Sequence, residues 1–72
     1  MANFSELRQA TLAARERTQD QTFGLEVSDG LYAVVRAIPP ASGRGKYVID
    51  YQSAGLTAEQ AKQFLENLGR AA

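Results

Sequence analysis

The dipeptide Asp29-Gly30 constrains the fold of this chain more than any other feature, because it separates two strand-like segments. Before it, Phe23, Leu25 and Val27 alternate with small or polar residues, and a mostly apolar run from Leu31 to Ile38 follows it. Asp-Gly suits the left-handed backbone conformations of a two-residue type I′ turn. The sequence therefore predicts a β-hairpin centred on this dipeptide.

A two-residue turn also fixes which residues lie opposite each other, and directly paired residues share a face of the sheet. One predicted face carries Phe23, Leu25, Val27, Tyr32, Val34 and Ile38. The other predicted face carries Gly24, Glu26, Leu31, Ala33, Val35 and Ala37. The hairpin thus has apolar residues on both faces, although a sheet in so short a chain needs only one apolar face to build a core.

A helix is predicted before the hairpin, from about Phe4 to Arg17, with Asn3 as its N-cap. Small and apolar residues recur at helical spacing on its predicted core side: Phe4, Leu7, Ala10, Thr11 and Ala14. A second stripe, made of Arg8, Leu12 and Arg15, lies on a different side of this helix.

A third strand is predicted from Lys46 to Gln52, with Tyr47, Ile49 and Tyr51 on one face and Val48 and Asp50 on the other. Pro39-Pro40 ends the second strand, because proline cannot donate to the ladder. Ser53-Ala54-Gly55 is predicted to turn the chain after the third strand.

The last helix is predicted over about Ala58 to Leu68. Thr57 and Gln60 match a capping box, and Gly69 suits the left-handed position after a helix end. Its core stripe consists of Ala61, Phe64, Leu65 and Leu68. Together these elements predict an α+β fold in a single domain over residues 1–72, with the order helix, three-stranded antiparallel sheet, helix (αβββα).

The size of the chain favours a binding role. A domain of 72 residues buries only about 60% of the surface that its unfolded chain exposes. The sequence contains no cysteine, so a disulfide or a thiolate zinc site cannot supplement the small core. Such domains often gain stability from oligomerisation or from a partner.

Two features of the sequence predict a cytoplasmic protein that does not enter the membrane. Residues 1–6 lack a basic segment followed by an apolar stretch, the pattern of a signal peptide. No apolar run approaches the ~20 residues of a membrane span.

Catalysis has few candidate residues. The chain has no histidine and no cysteine, which removes the usual proton shuttle at neutral pH and the thiolate nucleophile. Glu26 and Asp50 are the carboxylates that adjacent strands could bring together, and solvated surface charge explains both. We therefore expect no enzyme, no cofactor and no metal.

The loop Ser42-Gly43-Arg44-Gly45-Lys46 combines glycines with two cations. It does not match a Walker motif, because the glycine spacing differs and Tyr47 follows the lysine. One interpretation is an anion-binding loop, since arginine and lysine grip phosphate or carboxylate groups. The other is a flexible connection kept soluble by its charges.

Leu31, Ala33 and Val35, with Val48 as a further candidate, form an apolar strip on the face away from the larger predicted core. If both helices cover the Phe23 and Val34 face, this strip is exposed, and exposed apolar surface is typical of an interface. If the helices take one face each, the strip belongs to a second core.

We therefore predict partner binding through Leu31, Ala33 and Val35, with Arg44 and Lys46 at the rim. The partner is a larger protein, or a second copy of this chain in a homodimer. The expected function is that of a small accessory or inhibitor protein, a type common among phages and mobile elements.

The alternative function is nucleic-acid binding through Arg8, Arg15, Arg44, Lys46 and Lys62. The αβββα order is similar to that of double-stranded-RNA-binding domains, which implies RNA as a ligand. Those domains place a lysine cluster at the start of their second helix, where this chain has Thr57-Ala58-Glu59-Gln60-Ala61-Lys62 with one cation. The formal net charge of zero also lacks the basic excess of most nucleic-acid binders.

Overall fold

The computed structural model describes residues 3–70. Its elements are α1 (Phe4–Thr18), β1 (Phe23–Ser28), β2 (Leu31–Ile38), β3 (Val48–Leu56) and α2 (Ala58–Asn67). The strands form one antiparallel sheet in the order β1-β2-β3. The predicted α+β class and αβββα order are confirmed. Residues 1–2 and 71–72, at the two ends of the predicted 1–72 domain, lie outside the described residues. The first two residues of the segment 1–6, on which the prediction of no signal peptide depends, are among them.

Helix α1 begins directly after Asn3, whose Oδ1 accepts a hydrogen bond from the Glu6 amide at 2.9 Å. Most of its predicted core stripe is buried, namely Leu7, Ala10, Thr11 and Ala14. The prediction that Phe4 joins this core is wrong, since 73% of its surface is exposed. Burial of α1 starts one turn later, at Leu7.

The hairpin has the predicted turn and the predicted register. Ser28 pairs with Leu31 and Phe23 pairs with Arg36. Asp29 and Gly30 have φ values of 52° and 76°, the left-handed conformations that a type I′ turn requires.

Strand β3 departs from its prediction at both ends. It begins at Val48 rather than Lys46, and it continues to Leu56 through the predicted turn Ser53-Ala54-Gly55. The pairing with β2 shifts register twice, on either side of Val34. Bulges of this kind bend and twist a strand without ending its pairing. The glycine at position 55, with a φ of 66°, therefore marks an irregular strand rather than a turn.

Helix α2 starts with the predicted capping box. Thr57 Oγ1 accepts from the Gln60 amide at 3.2 Å, and Gln60 Oε1 accepts from the Thr57 amide at 2.9 Å. The helix ends at Asn67, and Gly69 has the expected left-handed φ of 76°. Of its larger apolar residues, Leu65 is fully buried, whereas Phe64 and Leu68 are only partly buried.

Both helices pack on the same face of the sheet. The buried cluster combines residues of both helices with residues of the sheet: Ala10, Ala14, Phe23, Val34 and Leu65. Leu25, Leu56, Phe64 and Leu68 pack against this cluster. The residues of β1 and β2 in this group all lie on the predicted face of Phe23 and Val34, and Leu56 of β3 pairs with Tyr32 of that face. The arrangement with one helix on each face is therefore excluded.

Two arginines of α1 form hydrogen bonds to the backbone of β1 and of the C-terminal end of α2. Arg15 Nε donates to the Phe23 carbonyl of β1 at 2.7 Å. Arg17 donates from Nη2 to the Leu65 carbonyl at 2.6 Å and from Nε to the Leu68 carbonyl at 2.9 Å. Arg17 thus adds side-chain donors to two carbonyls at the C-terminal end of α2, where the Leu65 carbonyl also accepts from the Leu68 amide at 3.2 Å.

Candidate functional site

The sheet face opposite the helices is the candidate site, and we call it the open face. Because paired residues share a face, strand register assigns its members. They are Gly24, Glu26 and Ser28 of β1, Leu31, Ala33, Val35 and Ala37 of β2, and Ile49 and Tyr51 of β3. Within residues 3–70, both helices lie on the other side of the sheet.

The large residues at the edges of the open face are exposed, while its centre is nearly buried. Leu31, Ile49 and Tyr51 expose 43%, 42% and 57% of their surfaces. Val35 exposes only 7%, since it lies on the middle strand between Gly24 and Tyr51. A partner that docks here would bury Leu31, Ile49 and Tyr51, which are apolar or aromatic.

Tyr51 is held in place across the open face. Its hydroxyl donates to Glu26 Oε2 at 2.6 Å, and because β2 lies between β1 and β3, the ring must extend over the middle strand. This hydrogen bond, together with the negative charge of Glu26, raises the pKa of Tyr51 above its usual range. The bond limits the rotamers of an exposed aromatic side chain, so less side-chain entropy is lost when a partner covers it.

A shallow hollow of about 330 Å³ lies on the open face near the hairpin end. Its walls include Glu26, Leu31 and Tyr51, and small residues of β2 and β3, Ala33, Ala54 and Gly55, also line it. The hollow is large enough to receive one or two apolar side chains.

The loop between β2 and β3 carries the two predicted rim cations, Arg44 and Lys46, both exposed. The Ser42 hydroxyl donates to the Arg44 carbonyl at 2.9 Å and accepts from the Arg44 amide at 3.3 Å, which forms a local turn. Gly43 and Gly45 have positive φ values of 75° and 105°. The two glycines are therefore required by the backbone of this loop.

The predicted partner-binding residues are only partly brought together. Leu31, Ala33 and Val35 share the open face, as expected from the hairpin register. Arg44 and Lys46 follow the far end of β2, and seven residues of strand separate Leu31 from that end. At ~3.4 Å per residue the separation is about 24 Å. The cations thus lie at one end of the face, and Leu31 lies at the other.

The sequence misassigned one residue of this surface and missed two. Val48, the further candidate for the apolar strip, pairs with Ile38 and so belongs to the helix side, where 61% of its surface is exposed. Ile49 and Tyr51 occupy the open face instead, opposite Ala37 and Val35. The predicted alternation of faces along β3 was correct. No feature of the sequence, however, indicates which residues of β3 pair with which residues of β2.

The cations of the alternative, nucleic-acid-binding set are spread over α1, the β2–β3 loop and α2. Arg15 donates to the Phe23 carbonyl, and Lys62 Nζ lies 3.3 Å from Glu6 Oε2. That pairing raises the pKa of Lys62, because the hydrogen bond and the charge of Glu6 stabilise the ammonium form. Two of the five cations therefore already serve contacts within the fold.

The carboxylates considered for acid–base chemistry are not neighbours. Glu26 lies on the open face of β1, whereas Asp50 of β3 pairs with Arg36 on the helix side. In the described part of the chain, no cluster of three or more His, Cys, Asp or Glu side chains could hold a metal ion. Neither helix within residues 3–70 has the length and apolar character needed to cross a membrane.

Comparison with known proteins gave no relative: no family model matches the chain, and neither a curated protein nor a solved structure matches it.

Proposed function

We propose that this chain is a small non-enzymatic protein-interaction module, of the accessory or inhibitor type, that docks on a larger protein through its open face. The observation that carries the proposal is the packing of both helices on one side of the sheet. It leaves Leu31, Ile49 and Tyr51 exposed on the other side. Contiguous exposed apolar surface is typical of interaction sites.

Tyr51 is the strongest anchor of this surface. Tyrosine is enriched among the residues that dominate binding energy, and such residues act best when a well-packed partner excludes water. The hydrogen bond to Glu26 orients the ring before binding. Leu31 and Ile49 add apolar area on either side of it, at the hairpin end and the loop end of the face.

The loop cations have a different role in this proposal. Arg44 and Lys46 are exposed at one end of the face, where they favour a partner with an acidic surface and speed its approach. Contacts at such a rim change association rates and salt dependence more than they change the lifetime of the complex.

The same proposal includes a cytoplasmic location. A chain without cysteine needs no oxidising compartment for its folding, which is compatible with this location. Fractionation of cells that express the tagged protein at native level tests it.

The nucleic-acid alternative makes a distinct prediction. Binding through phosphate contacts weakens steeply as salt rises, because each neutralised phosphate releases counterions. Titration of random DNA and RNA at increasing salt would show that slope if the alternative held. Affinity for neither nucleic acid is expected from the protein-docking proposal.

Neighbouring residues of β3 allow a matched test of the docking surface. Ile49→Asp places a charge on the open face, and Val48→Asp places the same charge on the helix side at a position that is also exposed. A partner identified by affinity purification from the native host is purified and titrated with both variants. We expect Val48→Asp to bind like the unmodified protein and Ile49→Asp to bind at least about tenfold more weakly, which corresponds to ~1.4 kcal/mol. Equal binding by both variants would show that the open face is not the docking surface.

A further inference from the structure

The two ends of the open face carry opposite charge. Glu26 and Asp29 lie at the hairpin end, and Arg44 and Lys46 lie in the loop at the other end. All four residues lie at the surface. A surface with this polarity is complementary to itself when one copy is reversed.

Symmetry limits how two copies can meet through this face. Two identical faces that pack against each other are related by a twofold axis lying in the plane between them. If the axis runs along the strands, Asp29 meets Asp29 and the cationic loops meet each other. If the axis runs across the strands, Asp29 of each copy approaches Arg44 and Lys46 of the other. Coulomb energy favours the second arrangement.

The shape of the face favours the same arrangement. With the axis across the strands, β3 lies over β3 with its direction reversed. Ile49, near the loop end, then faces the hollow near the hairpin end of the other copy, where Ala33, Ala54 and Gly55 leave space. With the axis along the strands, the two hollows would tend to face each other, and such an interface would be poorly packed.

We propose that the open face binds a second copy of this chain, in the orientation that places the hairpin end of each copy on the loop end of the other. The homodimer rests on the proposed function, because it uses the same docking face. A second copy occupies that face when the larger protein is absent. The two binding events therefore compete.

The area of the face predicts how tight this homodimer is. Eight residues of β2 at ~3.4 Å each, and three strands ~4.8 Å apart, give a face of about 27 Å by about 14 Å. About 400 Å² per copy is roughly half of the ~800 Å² per partner in a standard stable interface. The dimer is thus weak and concentration-dependent, so a larger partner with more contact area displaces it.

Sedimentation over a range of protein and salt concentrations tests self-association. We expect a monomer–dimer equilibrium that weakens as salt rises, that Ile49→Asp abolishes and that Val48→Asp leaves intact. A monomer at every concentration, up to the solubility limit, would overturn the inference, and so would equal dimerisation of both variants.

Cross-linking tests the orientation, since the chain has no cysteine of its own. Ser28→Cys marks the hairpin end and Ala41→Cys marks the loop end, and both positions are exposed. With a short thiol cross-linker, a mixture of the two variants should give a linked dimer, whereas each variant alone should give little. Efficient cross-linking of Ser28→Cys to itself would overturn the proposed orientation.

The outcomes separate this inference from the proposed function. If the chain stays monomeric but capture of the larger partner depends on Ile49, the homodimer is wrong and the docking proposal stands. If the dimer forms as described but partner capture does not depend on Ile49, the docking proposal is wrong and the homodimer stands.

Discussion

Tyr51 of β3 and Glu26 of β1 are joined by a hydrogen bond of 2.6 Å, although the middle strand separates their backbones. The bond links the two outer strands of the sheet by side chains alone. It also orients the exposed ring of Tyr51 on the open face, so titration of Tyr51 measures the electrostatics of that face.

The first prediction concerns the ionisation of Tyr51, studied with Tyr32 and Tyr47 replaced by phenylalanine. The bond to Glu26 and its negative charge raise the pKa of Tyr51, so tyrosinate absorbance should appear at a pH above the usual value of about 10. Glu26→Ala should return the pKa to that value, and Glu16→Ala, on α1, should not change it. Because the folded pKa exceeds the unfolded one, the stabilisation is complete below about pH 10 and is lost as pH rises through the folded pKa. An identical titration in the presence and absence of Glu26 would contradict the bond.

The second prediction concerns the core beneath α2. Leu65 is fully buried among residues of α1 and the sheet, so Leu65→Ala should lower the free energy of unfolding by about 2–5 kcal/mol. Gln63→Ala, at an exposed position of the same helix, should change it by less than about 0.5 kcal/mol. Urea denaturation of both variants measures the difference. Equal midpoints would remove α2 from the core.

The third prediction concerns the hairpin turn. Gly30 has a φ of 76°, so Gly30→Val forces a β-branched residue into a left-handed conformation and should cost about 1–3 kcal/mol of stability. Gly24→Val is the matched control, because Gly24 lies in β1 outside that region of φ and a Cβ there would meet open space. Thermal denaturation should therefore separate the two variants. Equal destabilisation would argue against the type I′ turn.

The hairpin and β3 show why one part of the sheet was predictable and the other was not. A two-residue turn leaves a single register, so Asp29-Gly30 by itself defines both faces of β1 and β2. The connection from Pro39 to Tyr47 is longer and contains flexible glycines, so it leaves the register of β3 open. The structure pairs Val48 with Ile38 and Ile49 with Ala37, so Ile49 rather than Val48 lies on the open face. The two register irregularities lie further along the pair, on either side of Val34.

The sequence also did not predict whether the helices cover one face of the sheet or both. The core stripe of α1 is narrow, with Leu7 as its only large buried residue among alanines and a threonine. Such a stripe fits either face of a hairpin that is apolar on both. The bonds from Arg17 to carbonyls of α2 join the two helices, and no local sequence pattern predicts such long-range contacts.

The last prediction compares two substitutions in β2, one expected to unfold the protein and the other expected to remove binding alone. Val35 is nearly buried at the centre of the open face, so Val35→Asp puts an unpaired charge into a packed site and should cost about 3 kcal/mol or more. Leu31→Asp, four residues earlier on the same face, places its charge where solvent reaches it and should cost about 1 kcal/mol or less. We therefore expect Leu31→Asp to stay folded yet lose self-association and partner binding, whereas Val35→Asp loses binding because it unfolds. Circular dichroism melts measure the loss of stability, and sedimentation measures the loss of self-association. A folded Leu31→Asp that still associates normally would show that the hairpin end of the open face takes no part in docking.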